Sequence, residues 1–268
     1  MSDTEADLGL DSVFPEPPRP PTPEPTVSTY TRENAREKDL EDVRIRLVGN
    51  HPLWGHYLWN SALCISSYLD EHPELCKDRF VLELGAGGGL PSIIAALNNA
   101  KKVVLTDYPD ASLIENMQYN VDQNIQRPEI RSNVHVEGYI WGHSVQPLLD
   151  ILPNESISNK RGYHLIILSD LVFNHSQHDS LLKTCELALA GNDSTRDAPE
   201  PCVLVFYTHH RPHLAHRDME FFEKAKSKGW VCDEIVVRKY PPMFPDDPGA
   251  EEVRSTVHGW KLTRSSAV

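Results

Sequence analysis

The sequence predicts an α/β fold: a mostly parallel seven-stranded sheet, helices on both faces, and an antiparallel hairpin at the C-terminal end. Two observations predict it. From residue 80 onward, short apolar runs alternate with segments of helical period, which is the pattern of a parallel sheet covered on both sides. The last two runs, near 230–238 and 256–263, have no helical segment between them. Without a crossover they can only pair antiparallel.

The elements follow in order. Residues 1–43 read as an acidic, proline-rich N-terminal arm, densest in proline over 14–25 (FPEPPRPPTPEP). Proline removes donors and fixes φ, so this arm is expected to be extended and largely disordered. Residues 30–42 are charged and suit a weak helix or loop, and Arg44–Val48 alternates like a short strand. The folded domain is placed at 44–268. Over 52–69, Leu58, Ala62, Ile65 and Leu69 fall at helical spacing. Strands are predicted at 80–86, 102–108, 134–141, 163–171 and 202–208, and helices at 91–99, 111–124, 176–190 and 216–228. Residues 191–200 and the Pro-rich, acidic 241–254 read as loops.

The chemistry-bearing stretch is 80–91, FVLELGAGGGLP. An apolar strand runs into clustered glycines, and Pro91 opens a helix. Such a turn lets backbone approach a ligand closely. The next strand ends on Asp107, about 20 residues past Gly87, where an acid receives a ribose hydroxyl in a mononucleotide-binding βαβ unit. A dinucleotide site wants a third glycine where this chain has Leu90. Glu83, two residues before Gly85, would repel a pyrophosphate and suit a cationic ligand such as S-adenosylmethionine. The bland alternative is a strand–turn–helix corner with no ligand.

Charge and cysteines narrow the class. The net charge is −13, which argues against nucleic acid as partner because phosphate binding needs a basic footprint. An acidic surface favours a basic protein segment, or simply solubility. Five cysteines, odd in number and without Cys-x-x-Cys, read as reduced thiols. With no signal-like start and no apolar run of membrane length, a soluble cytoplasmic protein is expected. A monomer with no membrane contact is the matching expectation.

Five stretches carry a resemblance: 46–54 (RLVGNHPLW), 58–60 (LWN), 82–91 (LELGAGGGLP), 106–109 (TDYP) and 168–175 (LSDLVFNH). With them the chain resembles the seven-β-strand, Rossmann-like protein methyltransferases of the lysine-methyltransferase family 16 type, over about residues 44–264 and part of the arm. It is most similar to the branch that acts on the N-terminus and a lysine of translation elongation factor 1-alpha. The resemblance implies S-adenosyl-L-methionine as cofactor, that elongation factor's basic N-terminal segment as protein substrate, and no metal. It implies cofactor contacts at Trp59, Gly85, Ala86, Gly87, Asp107, Trp141 and Ser169. Trp59 can wall one side of the pocket, and Trp141 can stack on the adenine. Trp54 reads better as core. The family's Asp-x-x-Tyr is here Asp170-Leu-Val-Phe173, so any role of that tyrosine is lost.

Methylation of nitrogen is an in-line displacement by a neutral amine, so an α-amine (pKa near 8) or a lysine (near 10.4) must first lose a proton. Asp170 is the expected catalytic residue, orienting or accepting from the amine, with Tyr207 as a wall after the fifth parallel strand. His209, His210, His213 and His216 lack an HExxH spacing or a cysteine partner, and a groove lining suits them better than a metal. Two other function classes stay open: a small-molecule N-methyltransferase, and a catalytically silent cofactor-binding module. A nicotinamide dehydrogenase ranks last because of Leu90 and the closing hairpin.

Overall fold

The computed structural model describes residues 23–33, 35, 40–153, 160–192 and 198–264. It opens with a hairpin, β1 (Thr26–Thr31) and β2 (Asp42–Leu47), paired antiparallel from Thr26–Leu47 to Thr31–Asp42. Then come α1 (Asn60–Glu71), β3 (Phe80–Leu84), α2 (Leu90–Leu97), β4 (Lys102–Asp107), α3 (Ala111–Asn124), α4 (Pro128–Arg131), β5 (Val134–Gly138) and α5 (Gln146–Asp150). The second half holds β6 (Leu165–Ser169), α6 (His178–Ala188), β7 (Cys202–Thr208), α7 (Ala215–Ser227), β8 (Trp230–Lys239), α8 (Glu251–Arg254) and β9 (Thr256–Arg264).

The main sheet has seven strands in the order β5-β4-β3-β6-β7-β9-β8. The predicted mixed sheet is therefore present: β3 to β7 pair in parallel, and β9 runs antiparallel to both β7 and β8. The closing hairpin is not simply appended. β9 slots between β7 and β8, which leaves β8 as the edge.

Strand periodicity sorts the core into two layers. Val81, Val103, Leu105, Leu165, Ile167, Leu204 and Phe206 face one layer, with α1, α2 and α3. Leu82, Leu84, Val104, Ile166, Leu168, Val203 and Val205 face the other, with α6 and α7. Helix α2 is buried along its whole length, as its LPSIIAAL sequence requires. Each fully buried aliphatic side chain contributes about 1.5–3 kcal/mol.

Three expectations need correction. The ordered chain begins well before residue 44: β1 lies inside the expected arm, and the Arg32 that follows it is buried. Its guanidinium forks onto Asp70 at 2.7 and 2.9 Å and reaches Asn98 at 3.0 Å. The rest of the arm, 1–22, lies outside the described residues. Second, α1 starts at Asn60, so Leu58 precedes it; Trp59 is the extended N-cap, with ψ of 146°. Third, β5 stops at Gly138, and Trp141 sits in the turn beyond.

One packing device bears on the site. Helix α3 presents Asn116, Asn120 and Asn124 one turn apart, and their amides pair with β2 as a strand would. Asn120 accepts from the Arg46 amide at 2.8 Å and donates to the Arg46 carbonyl at 2.8 Å. Asn124 treats Arg44 in the same way. Asn120 also donates to the Gly88 carbonyl at 3.0 Å, which ties the hairpin to the glycine turn.

Candidate active site

The carboxyl ends of β3, β4 and β6 open onto one cleft of about 530 Å³. This is where open α/β sheets place ligands. Its floor is the glycine turn. Gly85 and Gly87 adopt φ of 62° and 53°, which is left-handed backbone that favours glycine. A Cβ on Gly85 would lie 2.7 Å from Leu171 and 3.0 Å from the Trp141 ring, whereas one on Gly87 would meet nothing within 4 Å. At Gly85 the missing side chain seats the Trp141 indole; at Gly87 it leaves backbone open to the cleft.

Two acids frame the turn. Asp107 ends β4 and accepts from the Gly87 amide at 2.8 Å and the Tyr108 amide at 2.7 Å. Burial raises its pKa, although those amides oppose the rise. Each oxygen keeps a lone pair for a ribose hydroxyl. Glu83 is buried under the turn. Its Oε2 accepts from the Ser92 amide at 3.0 Å and hydroxyl at 2.5 Å, capping α2 from a distance. Its Oε1 is buried with no partner among the described residues. Burial pushes its pKa up to about 8, so it holds a proton until a cation arrives. That qualifies the expectation of a standing negative charge.

Across the cleft, Ser169 ends β6 and Asp170 follows it with φ of 56°, both lining the cleft. Asp170 Oδ2 accepts from the Ser61 hydroxyl of α1 at 2.7 Å and from His210 Nε2 at 3.1 Å. Trp59 walls the same side, its ring 4.9 Å from His210 and 6.0 Å from Phe244. Five exposed apolar side chains, Leu53, Trp54, Tyr108, Ile140 and Phe173, stand on the rim.

The structure thus brings Trp59, Gly85, Ala86, Gly87, Asp107, Trp141, Ser169 and Asp170 to a single cleft. Two readings fail. Trp54 is not core: it is 41% exposed on the rim with φ of 63°. Tyr207 is no wall either. It is buried within β7, facing α7, and its hydroxyl meets Met219 Sδ at 3.2 Å. The histidine run disperses, with His209 on Asp218 at 2.7 Å and His210 on Asp170. Among the described residues no three His, Cys, Asp or Glu side chains group as metal ligands.

Sequence reasoning missed Ser61 and Phe244, and it offered His210 as a groove lining without its partner Asp170. The only signal was the histidine run itself, which does not say which acid each ring meets.

A family model for lysine methyltransferases matches residues 39–228, more than half of the chain. The chain belongs to the lysine methyltransferase family. Curated relatives agree. The protein N-terminal and lysine N-methyltransferase EFM7 of Cryptococcus neoformans is 46% identical, covering 96% of this chain and 89% of the relative. Its Schizosaccharomyces pombe counterpart is 45% identical over 94% of each. Among solved structures, a protein described as a SAM-dependent methyltransferase from Streptococcus mutans aligns with a TM-score of 0.54 at 12% identity, over 82% of this chain and 53% of that one. Pyrococcus horikoshii TYW2 aligns at 0.50 and 15% identity, over 90% and 72%. At such identities these two speak for the fold alone.

As a member of the lysine methyltransferase family, the protein is an S-adenosylmethionine-dependent methyltransferase. The residues present fit that cofactor. The orphaned Glu83 Oε1 offers an acceptor to a ligand ammonium, and the glycine turn gives a floor without side chains.

Proposed function

We propose that this chain methylates the N-terminal α-amine, an adjacent lysine, or both, of translation elongation factor 1-alpha in the cytoplasm. The carrying observation is the position of Asp170, a buried acid with an oxygen to spare, on the cleft wall opposite the glycine turn. The names of the relatives, protein N-terminal and lysine methyltransferases, support the choice of amines. A net charge of −13 supports a basic polypeptide segment as partner.

S-adenosylmethionine, when bound, supplies a methyl carbon made electrophilic by its sulfonium. Glu83, the Gly85–Gly87 backbone and Asp107 are the groups to hold it, with Trp59, Trp141 and Ser169 as walls. Asp170 receives the substrate amine and keeps it in line. Ser61 and His210 stop the carboxylate from rotating. Trp59 and Phe173 shield the amine from water, which disfavours its charged form. Orientation and desolvation carry most of the rate.

The purified enzyme, labelled S-adenosylmethionine and recombinant elongation factor 1-alpha test this reading. Peptide mapping is expected to find label on the first residue or a neighbouring lysine. Label confined to low-mass metabolites of a lysate lacking this protein would point to a small-molecule enzyme instead.

A further inference from the structure

The loop that follows β6 forms one wall of the cleft, where Asp170, Leu171, Phe173 and Asn174 all line it. Asp170 sits there at φ of 56°, a left-handed backbone that a residue other than glycine keeps where its surroundings hold it. Resting on the reading that Asp170 receives the substrate amine, we propose that Asp218 of α7 is a positioning residue: it clasps the loops after β6 and β7 together and through them sets Asp170.

Asp218 is buried and lies outside the cleft lining. Its two oxygens serve different loops. Oδ1 accepts from His175 Nε2 at 2.6 Å, and Oδ2 accepts from His209 Nδ1 at 2.7 Å. A carboxylate only accepts, so both rings must donate. The proton therefore sits on Nε2 of His175 and on Nδ1 of His209.

These bonds close a circuit. From Asp170 the chain runs along the cleft wall to His175, and Asp218 bridges from there to His209. His210 is next in the chain, and its Nε2 returns to Asp170 Oδ2 at 3.1 Å. Ser61 tethers the same oxygen to α1 at 2.7 Å. What Asp218 adds is a hold on the far end of the wall and on the residue beside His210.

Without Asp218, the buried His209 ring and the half-buried His175 ring lose their acceptor together, and the two ends of the wall are no longer tied to each other. In-line displacement depends on where the nucleophile rests, and a shift of about 1 Å is enough to cost about 100-fold in rate. The cofactor groups Glu83, Gly87 and Asp107 take no part in the circuit, so cofactor affinity should not follow.

The test is single-turnover methylation of elongation factor 1-alpha at saturating cofactor, for wild type, Asp218→Ala, Asp170→Asn and the double variant. Asp218→Ala alone is expected to slow the reaction about 10- to 100-fold, with the cofactor dissociation constant within about twofold of wild type by calorimetry. On the Asp170→Asn background the same change should cost less than about threefold, because residues that act through one another are not additive. A residue that only stabilises the fold would cost the same factor in both backgrounds. That result, or a single variant within about threefold of wild type, overturns the proposal. Should Asp218→Ala fail to fold, Asp218→Asn, which keeps the volume and still accepts from one ring, enters the same cycle under the same criteria. Asp170→Asn at the wild-type rate would bring down the amine reading and the proposal with it.

Nitrogen-15 NMR reads the clasp without any substrate. The His210 Nε2–H signal should persist in wild type and broaden through exchange with water in the Asp218 variant; equal protection in both would overturn the proposal. If wild type leaves the elongation factor unlabelled, the substrate reading fails and this signal alone decides the role of Asp218.

Discussion

Glu83 divides its two oxygens between folding and binding. Oε2 caps α2 through Ser92, while Oε1 waits under the glycine turn. Folding raises the group from 4.5 to about 8, so between those values the folded chain keeps a proton that the unfolded chain has lost. Its contribution to stability is thus present in full below 4.5 and is lost as pH climbs toward 8. Without ligand, the melting temperature of wild type should fall relative to that of Glu83→Gln between pH 5 and pH 8. Parallel melting curves would show that the carboxylate is already ionised. Residues like this were legible where the signal is local: Glu83, Gly85, Gly87 and Asp107 all lie within one strand–turn–helix–strand unit. Ser61 and His210 were not, since they meet Asp170 across 109 and 40 residues. Tyr207 was misassigned because alternate strand positions face opposite layers, and it lies on the α7 side rather than at the strand's open end.

At the scale of elements, the asparagine ladder of α3 does work that no pattern of apolar residues announces. Amide side chains one helical turn apart satisfy the outer edge of β2, and Asn120 serves both the Arg46 amide and the Gly88 carbonyl while sharing the Arg46 carbonyl with Asn116. Asn120→Ala strands buried backbone groups at about 1–3 kcal/mol each. A loss of about 3 kcal/mol in urea unfolding is expected, with faster amide exchange along residues 42–47 and weaker cofactor binding. A loss below about 0.5 kcal/mol would mean that water replaces the amide without cost. Strand β1 escaped notice for a related reason. Thr26-Val-Ser-Thr-Tyr-Thr31 is β-branched and alternating, but it follows a proline-dense run that favours an extended, unpaired chain. The central strands β3, β4, β6 and β7 were readable because both their faces are buried and apolar runs mark them, whereas β5 and β8, at the two edges, are half-exposed and read from alternation.

For the molecule as a whole, Arg32 shows how the hairpin is bound to the sheet domain. Arg32 and Asp70 each expose only 1% of their side chains, and removing one partner leaves the other charge buried without its counterion. Arg32→Ala should cost about 3–5 kcal/mol, seen as a lower denaturant midpoint with an unchanged slope. A surface-like loss under 1 kcal/mol would mean that the hairpin is an accessory. A protein trimmed to the boundary read from the sequence, residue 44, would lose both β1 and this pair.

The placement of β9 has a consequence for how the protein assembles. Until β9 pairs, β7 presents a raw outer edge, and β8, whose strand partner among the described residues is β9, has no place in the sheet. Unpaired edges of this kind are templates for joining another chain. One late segment of the chain thus covers the β7 edge and anchors β8 at once, so self-association is most dangerous in any state in which β9 is unpaired.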